Sequence, residues 1–514
     1  MTRDSQRILI LDCGSQTTQL IARRVREARV YCEVAPWGMA LEDVRTFGPA
    51  GIILSGGPQS VYAEGAPRPD PGLLALNVPV LGICYGMQWM AWALGGTVAR
   101  SERREYGPAE FTGAPSCLLF AGMPPAQPIW MSHGDKVELL PAGFRAAGFT
   151  PNAPFAALED PERRLFGIQF HPEVTHTVQG RELLRRFLYE ACGARGDWTM
   201  ASFVESACED IRAQVGGERV LCAISGGVDS SVMALLIHRA IGDHLDLLFI
   251  DHGLLRKDEA RLVQDRFARK FQLKLKAVDA SDRFFSALKG LSDPEDKRKA
   301  VGRTFIEVFE EEARALGRVR FLAQGTIYPD RIESAAVSGA AQVIKSHHNV
   351  GGLPERMAMV VVEPLRDLFK DEVRAVGRLL GLEAAFVKRQ PFPGPGLAVR
   401  ILGEVRREDV AILQEADHVF LEEIKAAGLY DRAAQAFAVL LPVRSVGVMG
   451  DERTYDRVVA LRAVTTEDYM TADWFRFDHE FLARVSSRIV NEVRGVNRVV
   501  YDVTSKPPGT IEWE

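Results

Sequence analysis

Two short glycine-containing loops, each lying between an apolar run and a helical pattern, most constrain how this chain can fold. The first loop, Gly82–Gly86, carries Cys84 and follows the apolar run 78–81. The second, Ser225–Ser231, follows the apolar run 220–224. Short apolar runs that end near glycine predict buried strands, and the apolar spacing after each loop predicts a helix. These patterns are typical of open α/β sheets with parallel strands.

The length of 514 residues predicts several domains, because a single hydrophobic core stops growing beyond about 300 residues. The small and polar segment 191–198 predicts a connection, and the proline-rich segment Gln390–Gly396 predicts a second break. Helical patterns near 408–426 and 478–494 then accompany partly alternating strand patterns. We therefore expect an α/β protein in which two consecutive parallel-sheet α/β domains, at 7–192 and 200–390, precede a smaller α+β dimerisation domain at 391–514.

Composition excludes several classes of protein. The net charge of -5 argues against a nucleic-acid partner, because nucleic-acid-binding domains are usually basic. The first apolar run is too short for a secretory signal, and no apolar stretch reaches the ~18 residues of a membrane span. The seven cysteines are scattered, with no C-x-x-C pair that would suggest a disulfide framework or a zinc site. We expect a cytoplasmic location and no membrane partner.

The glycines around Cys84 let the chain turn sharply from strand to helix and place the thiol near a helix N-terminus. The positive end of the helix dipole favours a thiolate there, although a lone cysteine is equally often a small buried hydrophobe. His171 and Glu173 are two residues apart after the apolar run 165–168, so their side chains point the same way in an extended segment. The histidine can take the thiol proton while the glutamate orients its ring.

A third segment, Ser55–Pro58, follows a predicted strand and exposes backbone N–H groups. Gly57 and Tyr85 would together form a two-donor oxyanion hole, and the alternative is an ordinary turn. With Gly82–Gly86 and His171–Glu173, the segment resembles the class I glutamine amidotransferases over residues 7–190. The resemblance implies glutamine hydrolysis through a thioester, with Cys84, His171 and Glu173 catalytic and Gln88, Ser132, His133 and Asp135 binding glutamine.

The second loop can hold phosphates through its backbone N–H groups and the dipole of the following helix. It lacks the lysine of a Walker loop, which favours transfer of AMP over transfer of the γ-phosphate. Taken alone, such a string is also typical of a turn. The predicted ATP-binding residues are Ser225, Gly226, Gly227, Val228, Asp229, Ser230 and Ser231, and Asp229 is the candidate Mg²⁺ ligand.

The loop resembles the pyrophosphatase loop of ATP-dependent adenylating enzymes, and segments 323–334, 345–352 and 504–514 resemble the GMP synthase family. This resemblance implies that glutamine-derived ammonia aminates an adenylated xanthosine monophosphate (XMP) to GMP, while ATP becomes AMP and pyrophosphate. It further implies a homodimer, a lid at 345–352 and Mg²⁺ as cofactor. The residues implied to bind XMP are Arg298, Gln435, Lys506 and Glu512.

Three other functions compete with this hypothesis. An ammonia-using adenylating ligase could act on a different nucleotide, but the segment 504–514 argues against it. A tRNA-thiolating enzyme shares the phosphate loop, but the missing C-x-x-C pairs and the acidic balance count against it. A non-catalytic regulator would keep both folds, but the intact Cys84, His171, Glu173 and Asp229 argue against lost activity.

Overall fold

The computed structural model describes residues 6–317, 319–331, 359–449, 452–466, 469 and 471–514. The predicted lid at 345–352 therefore lies outside the described residues. Two compact units divide the chain: the first takes the N-terminal part up to Ser206 together with Arg331, and the second takes the described residues from Ala207 to Asp330 and from 359 onward.

A nine-stranded sheet forms the centre of the first unit, in the order β2-β1-β3-β4-β9-β8-β7-β5-β6. Its strands are β1 (Arg7–Asp12), β2 (Tyr31–Pro36), β3 (Gly51–Leu54), β4 (Val80–Ile83), β5 (Thr97–Gly113), β6 (Ala126–Leu139), β7 (Arg145–Phe149), β8 (Ala157–Asp160) and β9 (Leu165–Ile168). Its helices are α1 (Thr18–Glu27), α2 (Leu41–Phe47), α3 (Tyr85–Ala93) and α4 (Gly180–Arg186), and α5 (Met200–Val215) contains the boundary between the units.

Only half of this first sheet is parallel. Strands β2, β1, β3, β4 and β9 pair in parallel, as predicted for an α/β protein. The remaining pairs are antiparallel, which the sequence did not suggest. Alternate residues of β6 are buried from Gln127 to His133, the pattern of a strand with one face toward the core and one toward solvent.

The parallel half positions the candidate site. The loops after β1, β3, β4 and β9 all leave from the carboxyl ends of neighbouring strands. Chain order reverses at β1, which lies between β2 and β3, and ligands bind open α/β sheets at such a reversal. Cys84, His171 and the Ser55–Pro58 segment thus meet at one edge of the sheet.

The second unit contains a five-stranded parallel sheet in the order β12-β11-β10-β13-β14. Its strands are β10 (Val220–Ile224), β11 (Leu245–Asp251), β12 (Leu275–Asp279), β13 (Phe321–Ala323) and β14 (Val360–Val362). The accompanying helices are α6 (Val228–Ile241), α7 (Glu259–Asp265), α8 (Ser281–Leu288), α9 (Pro294–Ala315), α10 (Lys370–Leu379) and α11 (Ala384–Val387). Chain order reverses at β10, so the loop 225–231 lies at the reversal point of this sheet.

A smaller mixed sheet completes the second unit. It contains β15 (Gln435–Met449), β16 (Glu452–Thr465), β17 (Asp473–Trp474) and β18 (Val496–Tyr501), with α12 (Arg407–Ala426) and α13 (His479–Glu492). Strand β16 pairs antiparallel with β15 and β17, and parallel with β18. The two helices lie where the sequence predicts helical stretches.

A large hydrophobic cluster links the two parts of the second unit. It joins Leu248 and Phe284 of the parallel-sheet part to Phe420, Leu461 and Val485 of the C-terminal part. The division into domains at 7–192, 200–390 and 391–514 stays a prediction. No helix within the described residues is long and apolar enough to cross a membrane.

Candidate functional site

Cys84 lies on the turn between β4 and α3 in a strained backbone conformation. Its φ of 51° is positive, which is rare for a residue with a side chain. Two backbone hydrogen bonds hold the turn, from Cys84 to the Ile168 carbonyl (2.7 Å) and from Gly86 to the Ser55 carbonyl (3.2 Å). A Cβ on Gly86 would lie 2.7 Å from the Leu54 Cβ, so only glycine fits beside β3.

His171 and Glu173 form a buried pair beside this turn. The His171 Nδ1 lies 2.7 Å from the Glu173 Oε1, and Glu173 is fully buried. An ionised carboxylate only accepts hydrogen bonds, so Nδ1 carries the proton and Nε2 is left for Cys84. Burial alone would lower the pKa of His171, but its hydrogen bonds to Cys84 and Glu173 outweigh burial and raise that pKa.

The glycines after β3 lie against the same residues. A Cβ on Gly56 would lie 3.1 Å from the His171 Cε1, and one on Gly57 would lie 3.2 Å from the Tyr85 Cγ. The segment thus brings Gly57 next to Tyr85. Cys13 lies at the end of β1, where burial raises the pKa of its thiol to about 12, so it remains a neutral thiol.

Strand β6 brings two of the predicted glutamine-binding residues, Ser132 and Asp135, to Cys84 and the helix that follows it. The Cys84 Sγ lies 3.6 Å from the Ser132 carbonyl oxygen, and the Gln88 Nε2 donates to the Asp135 carbonyl (2.8 Å). Gln88 also donates to the Gln169 Oε1 (3.1 Å), and the Gln169 Nε2 lies 3.5 Å from the Cys84 Sγ. Gln88 and Gln169 thus form a buried amide chain that ends at the sulfur.

His133 lies in a buried polar network. Its Nε2 lies 3.0 Å from the Glu105 Oε2, and its Nδ1 lies 2.9 Å from the Asp135 carbonyl oxygen. Thr150 and Asn152 donate to the same Glu105 carboxylate. Burial lowers the pKa of His133 against the opposing effect of Glu105. These bonds fix the strand segment that carries Ser132 and Asp135.

The loop after β10 has the local geometry expected of a phosphate cradle. Gly226 has a φ of 78°, and a Cβ there would lie 2.8 Å from the Val263 Cγ2. Gly227 directly precedes α6, so Val228 begins the helix. The Ser225 and Ser230 hydroxyls lie 3.0 Å apart, and the Ser231 hydroxyl donates to the Gly227 carbonyl (2.8 Å). The helix N-terminus therefore faces the loop.

Two cations contact this loop from later parts of the chain. Lys370 forms an ion pair with the Asp229 Oδ2, and Arg389 donates to the Gly226 carbonyl (3.0 Å) while pairing with Glu259. The other carboxylate oxygen of Asp229, Oδ1, is buried and has no hydrogen-bond partner among the described residues. A buried carboxylate oxygen of this kind suits a hard cation such as Mg²⁺.

Two of the predicted XMP-binding residues contact each other in the C-terminal part. The Gln435 Nε2 donates to the Glu512 Oε1 (2.6 Å). The fully buried Arg400 donates to both oxygens of Glu512, at 2.8 Å and 3.0 Å. Glu512 therefore lies at the centre of a three-residue cluster.

The other two predicted XMP-binding residues have separate partners. The Arg298 Nη2 donates to the Glu514 backbone oxygen (2.5 Å), and the adjacent Lys297, fully buried, pairs with the Glu514 side chain. Lys506 donates to the Tyr469 carbonyl (2.8 Å). The structure thus brings Gln435 and Glu512 together. Arg298 contacts the end of the same C-terminal segment, and Lys506, which is part of that segment, contacts Tyr469 instead.

Known proteins match almost the full length of this chain. Residues 9–191 match the family Glutamine amidotransferase class-I, and residues 422–513 match GMP synthase C terminal domain. The chain is 57% identical to "GMP synthase [glutamine-hydrolyzing]" of Carboxydothermus hydrogenoformans, over 99% of this chain and 100% of that protein. The chain belongs to the GMP synthase family. It is similarly 56% identical to the Aquifex aeolicus protein of the same name, over 99% of each chain.

Sequence reasoning missed five side chains of this GMP synthase family member. Gln169 could have been found, because it lies two residues before His171, the spacing at which side chains face the same way in the extended segment that the sequence predicts. The others carry no local signal, since each contacts a residue distant in sequence. They are Thr17, which donates to the Glu173 Oε1 (2.6 Å), and Lys370, Arg389 and Arg400.

Proposed function

We propose that this chain is a glutamine-hydrolysing GMP synthase. Glutamine and water give glutamate and ammonia in the first unit. In the second unit XMP attacks the α-phosphate of ATP and pyrophosphate leaves, and ammonia then displaces AMP to give GMP. The observation that carries the proposal is the position of Cys84 beside the buried His171–Glu173 pair, since a Cβ on Gly56 would lie 3.7 Å from the Cys84 Cβ and 3.1 Å from the His171 Cε1. The chain also matches GMP synthases over 99% of its length.

Cys84 is the nucleophile that attacks the glutamine amide carbon, and His171 holds the proton that the thiol loses. The raised pKa of His171 favours the imidazolium form, which stabilises a thiolate next to it. Glu173 keeps the ring in the orientation that this transfer needs. His171 then returns the proton to the departing ammonia, and a water molecule hydrolyses the thioester.

The backbone N–H groups of Gly57 and Tyr85 stabilise the oxyanion that forms during both steps. Their positions beside Cys84 support this role, because Tyr85 directly follows the nucleophile at the start of α3. Gln88, Ser132, His133 and Asp135 bind the glutamine, and Asp135 faces its ammonium group. The buried network of His133 supports this assignment, because it holds the strand that carries Ser132 and Asp135 in one position.

The residues from Ser225 to Ser231 bind the phosphates of ATP through backbone N–H groups and serine hydroxyls. Asp229 is the Mg²⁺ ligand, supported by its buried Oδ1, which has no hydrogen-bond partner among the residues that the structure describes. When bound, Mg²⁺ neutralises charge on the phosphates. Lys370 keeps the Asp229 carboxylate in place, and Arg389 keeps the Gly226 carbonyl in place in the same loop.

Arg298, Gln435, Lys506 and Glu512 bind XMP. Arg298 and Lys506 supply positive charge suited to its phosphate, whereas the Gln435–Glu512 pair suits hydrogen-bond donors of the nucleoside part. Their common attachment to the C-terminal segment supports this assignment.

We further propose a cytoplasmic homodimer. The seven cysteines are all free thiols, which fits a reducing compartment. Val446 and Val448 of β15 and Tyr455 of β16 are 49%, 75% and 55% exposed on the long antiparallel hairpin. Such apolar exposure fits a second copy of the chain, and replacing Val448 with aspartate should then reduce the solution mass from dimer to monomer.

The test of the proposed function follows GMP, AMP and pyrophosphate with XMP, Mg·ATP and either glutamine or ammonium. We expect one AMP and one pyrophosphate for each GMP with either amine donor. Cys84→Ala should abolish the glutamine reaction and leave the ammonium reaction within about twofold, because the thiol serves only ammonia release. Absence of GMP with both donors would disprove the proposed function, and equal loss of both reactions in Cys84→Ala would disprove the separation of the two sites.

A further inference from the structure

Two fully buried arginines hold the C-terminal segment 504–514 in different ways. Arg462 donates to the backbone carbonyls of Thr504 (2.7 Å), Thr510 (2.8 Å) and Ile511 (3.0 Å). Arg400 contacts a side chain instead, since it donates to both carboxylate oxygens of Glu512. Arg462 therefore fixes the path of the segment, whereas Arg400 fixes one functional group on it.

The environment of Arg400 leaves the guanidinium dependent on Glu512. Its guanidinium lies over the Phe437 ring at 4.1 Å and the Phe392 ring at 5.2 Å. Its third nitrogen, Nη1, is buried and has no hydrogen-bond partner in the part of the chain that the structure describes. All hydrogen bonds of Arg400 to described residues thus go to Glu512. A buried cation is costly to desolvate, so its burial requires that Glu512 remain in place.

The geometry of this contact also determines the orientation of Gln435. A bidentate arginine holds a carboxylate in the plane of its own fork. The Glu512 Oε1 then accepts from Gln435 as well as from Arg400, and because a carboxylate offers only acceptors, the Gln435 amide must turn its nitrogen toward it. The Gln435 Oε1 is consequently directed away from Glu512.

We propose that Arg400 is a positioning residue of the XMP site, which fixes the Glu512 carboxylate and, through it, the Gln435 amide. The inference rests on the proposed function. A carboxylate repels phosphate and accepts from N–H and O–H groups, so this pair contacts the xanthine ring or the ribose of XMP. Arg400 acts through Glu512 and does not itself touch the substrate.

The test replaces Arg400 with lysine, which keeps the charge but loses the bidentate contact. With ammonium as the amine donor, we expect the KM for XMP to rise about tenfold, equivalent to about 1.4 kcal/mol. The KM for ATP should stay within about twofold of wild type and kcat within about threefold, since the hydrogen bonds and ring contacts of Arg400 to described residues go to Glu512, Phe392 and Phe437 and not to the phosphate loop. A wild-type KM for XMP in a folded Arg400→Lys variant would overturn the proposal.

Arg462→Lys is the matched control, because Arg462 is equally buried and contacts the segment 504–514 through backbone carbonyls, while its ion pair goes to the Asp502 side chain (2.9 Å) before that segment. We expect it to lower the melting temperature while changing the KM for XMP less than Arg400→Lys does. An equal rise in KM for both variants would mean that Arg400 only supports the fold.

The double variant Arg400→Lys with Glu512→Gln provides the decisive readout. Once the carboxylate is gone, Arg400→Lys should raise the KM for XMP by less than about twofold further. If the rise in KM for XMP of the double variant equals the product of the rises caused by Arg400→Lys and Glu512→Gln separately, the proposal is overturned. If Arg400→Lys does not fold, Arg400→Gln is measured in the same way. If neither of these variants folds while Arg462→Lys does, Arg400 is a folding residue and the proposal is overturned. GMP formation by the wild type separates these outcomes from a failure of the proposed function.

Discussion

Replacing Gly82 with alanine should remove most glutamine-dependent activity. A Cβ at this position would lie 2.6 Å from the Met87 backbone nitrogen and 2.7 Å from the carbonyl carbon and oxygen of Gly86. These atoms belong to the first turn of α3, so they must move by about 0.8 Å to restore ordinary contact at 3.4 Å. The same turn carries Cys84 and the Tyr85 N–H. A misplacement of ~1 Å at reacting groups costs roughly 100-fold, so we expect a loss of about 10- to 100-fold in kcat/KM for glutamine.

The assay compares GMP formation with glutamine and with ammonium for Gly82→Ala and a matched control, Gly38→Ala. A Cβ on Gly38 meets no atom within 4 Å, so the control should behave as wild type in both reactions. Gly82→Ala should keep the ammonium reaction within about twofold and lower the melting temperature, because overpacking costs about 1–3 kcal/mol. The reasoning is refuted if a folded Gly82→Ala keeps its glutamine kcat/KM within threefold of the control.

Three further changes test other contacts. Thr17→Val removes the 2.6 Å hydrogen bond to Glu173, so the glutamine-dependent kcat should fall about tenfold with ammonium use unchanged; an unchanged kcat would contradict an orienting role. Burial lowers the pKa of His252 to about 4, so the unfolded chain binds the proton more tightly. The neutral His252 contributes fully to stability above about pH 6.5, and the free energy of unfolding should fall by about 3 kcal/mol as the pH is lowered toward 4. Urea titrations at several pH values measure this fall, and His252→Asn should lack it. Lys297→Met breaks the buried pair with Glu514 and should lower the free energy of unfolding by about 3–5 kcal/mol, and a urea midpoint equal to wild type would contradict this.

Local sequence patterns predicted the parts of the fold that depend on neighbouring residues. The apolar run before Gly82 and the helical spacing after Gly86 place Cys84 between a strand and a helix, and the structure has β4 and α3 on either side. The loop 225–231 is predicted in the same way and lies between β10 and α6. The antiparallel half of the first sheet was missed, because strand order depends on long-range pairing that no local period encodes.

The contacts missed by the sequence link residues far apart in the chain. Thr17 and Glu173 are separated by 156 positions, and Arg400 and Glu512 by 112. Their convergence depends on the order of strands in the sheet and on the docking of the C-terminal segment, neither of which leaves a pattern at the residues themselves. Gln169 is different, since alternation from His171 already places it on the reactive side.

Both sites use a turn with positive φ that leads into a helix, yet they resolve the backbone strain differently. In the phosphate loop the residue with positive φ is Gly226, which has no Cβ and adopts φ 78° without strain. In the first unit that residue must carry the nucleophile, so Cys84 retains φ 51° at a cost of about 1–3 kcal/mol. The flanking glycines then become essential for a packing reason, because Gly82 and Gly86 each lie too close to neighbouring atoms for any side chain. A Cβ on Gly226 would also meet a neighbour, the Val263 Cγ2 at 2.8 Å, but that atom ends a side chain, whereas Gly82 and Gly86 face backbone atoms. Substitutions around Cys84 should therefore be the less tolerated of the two.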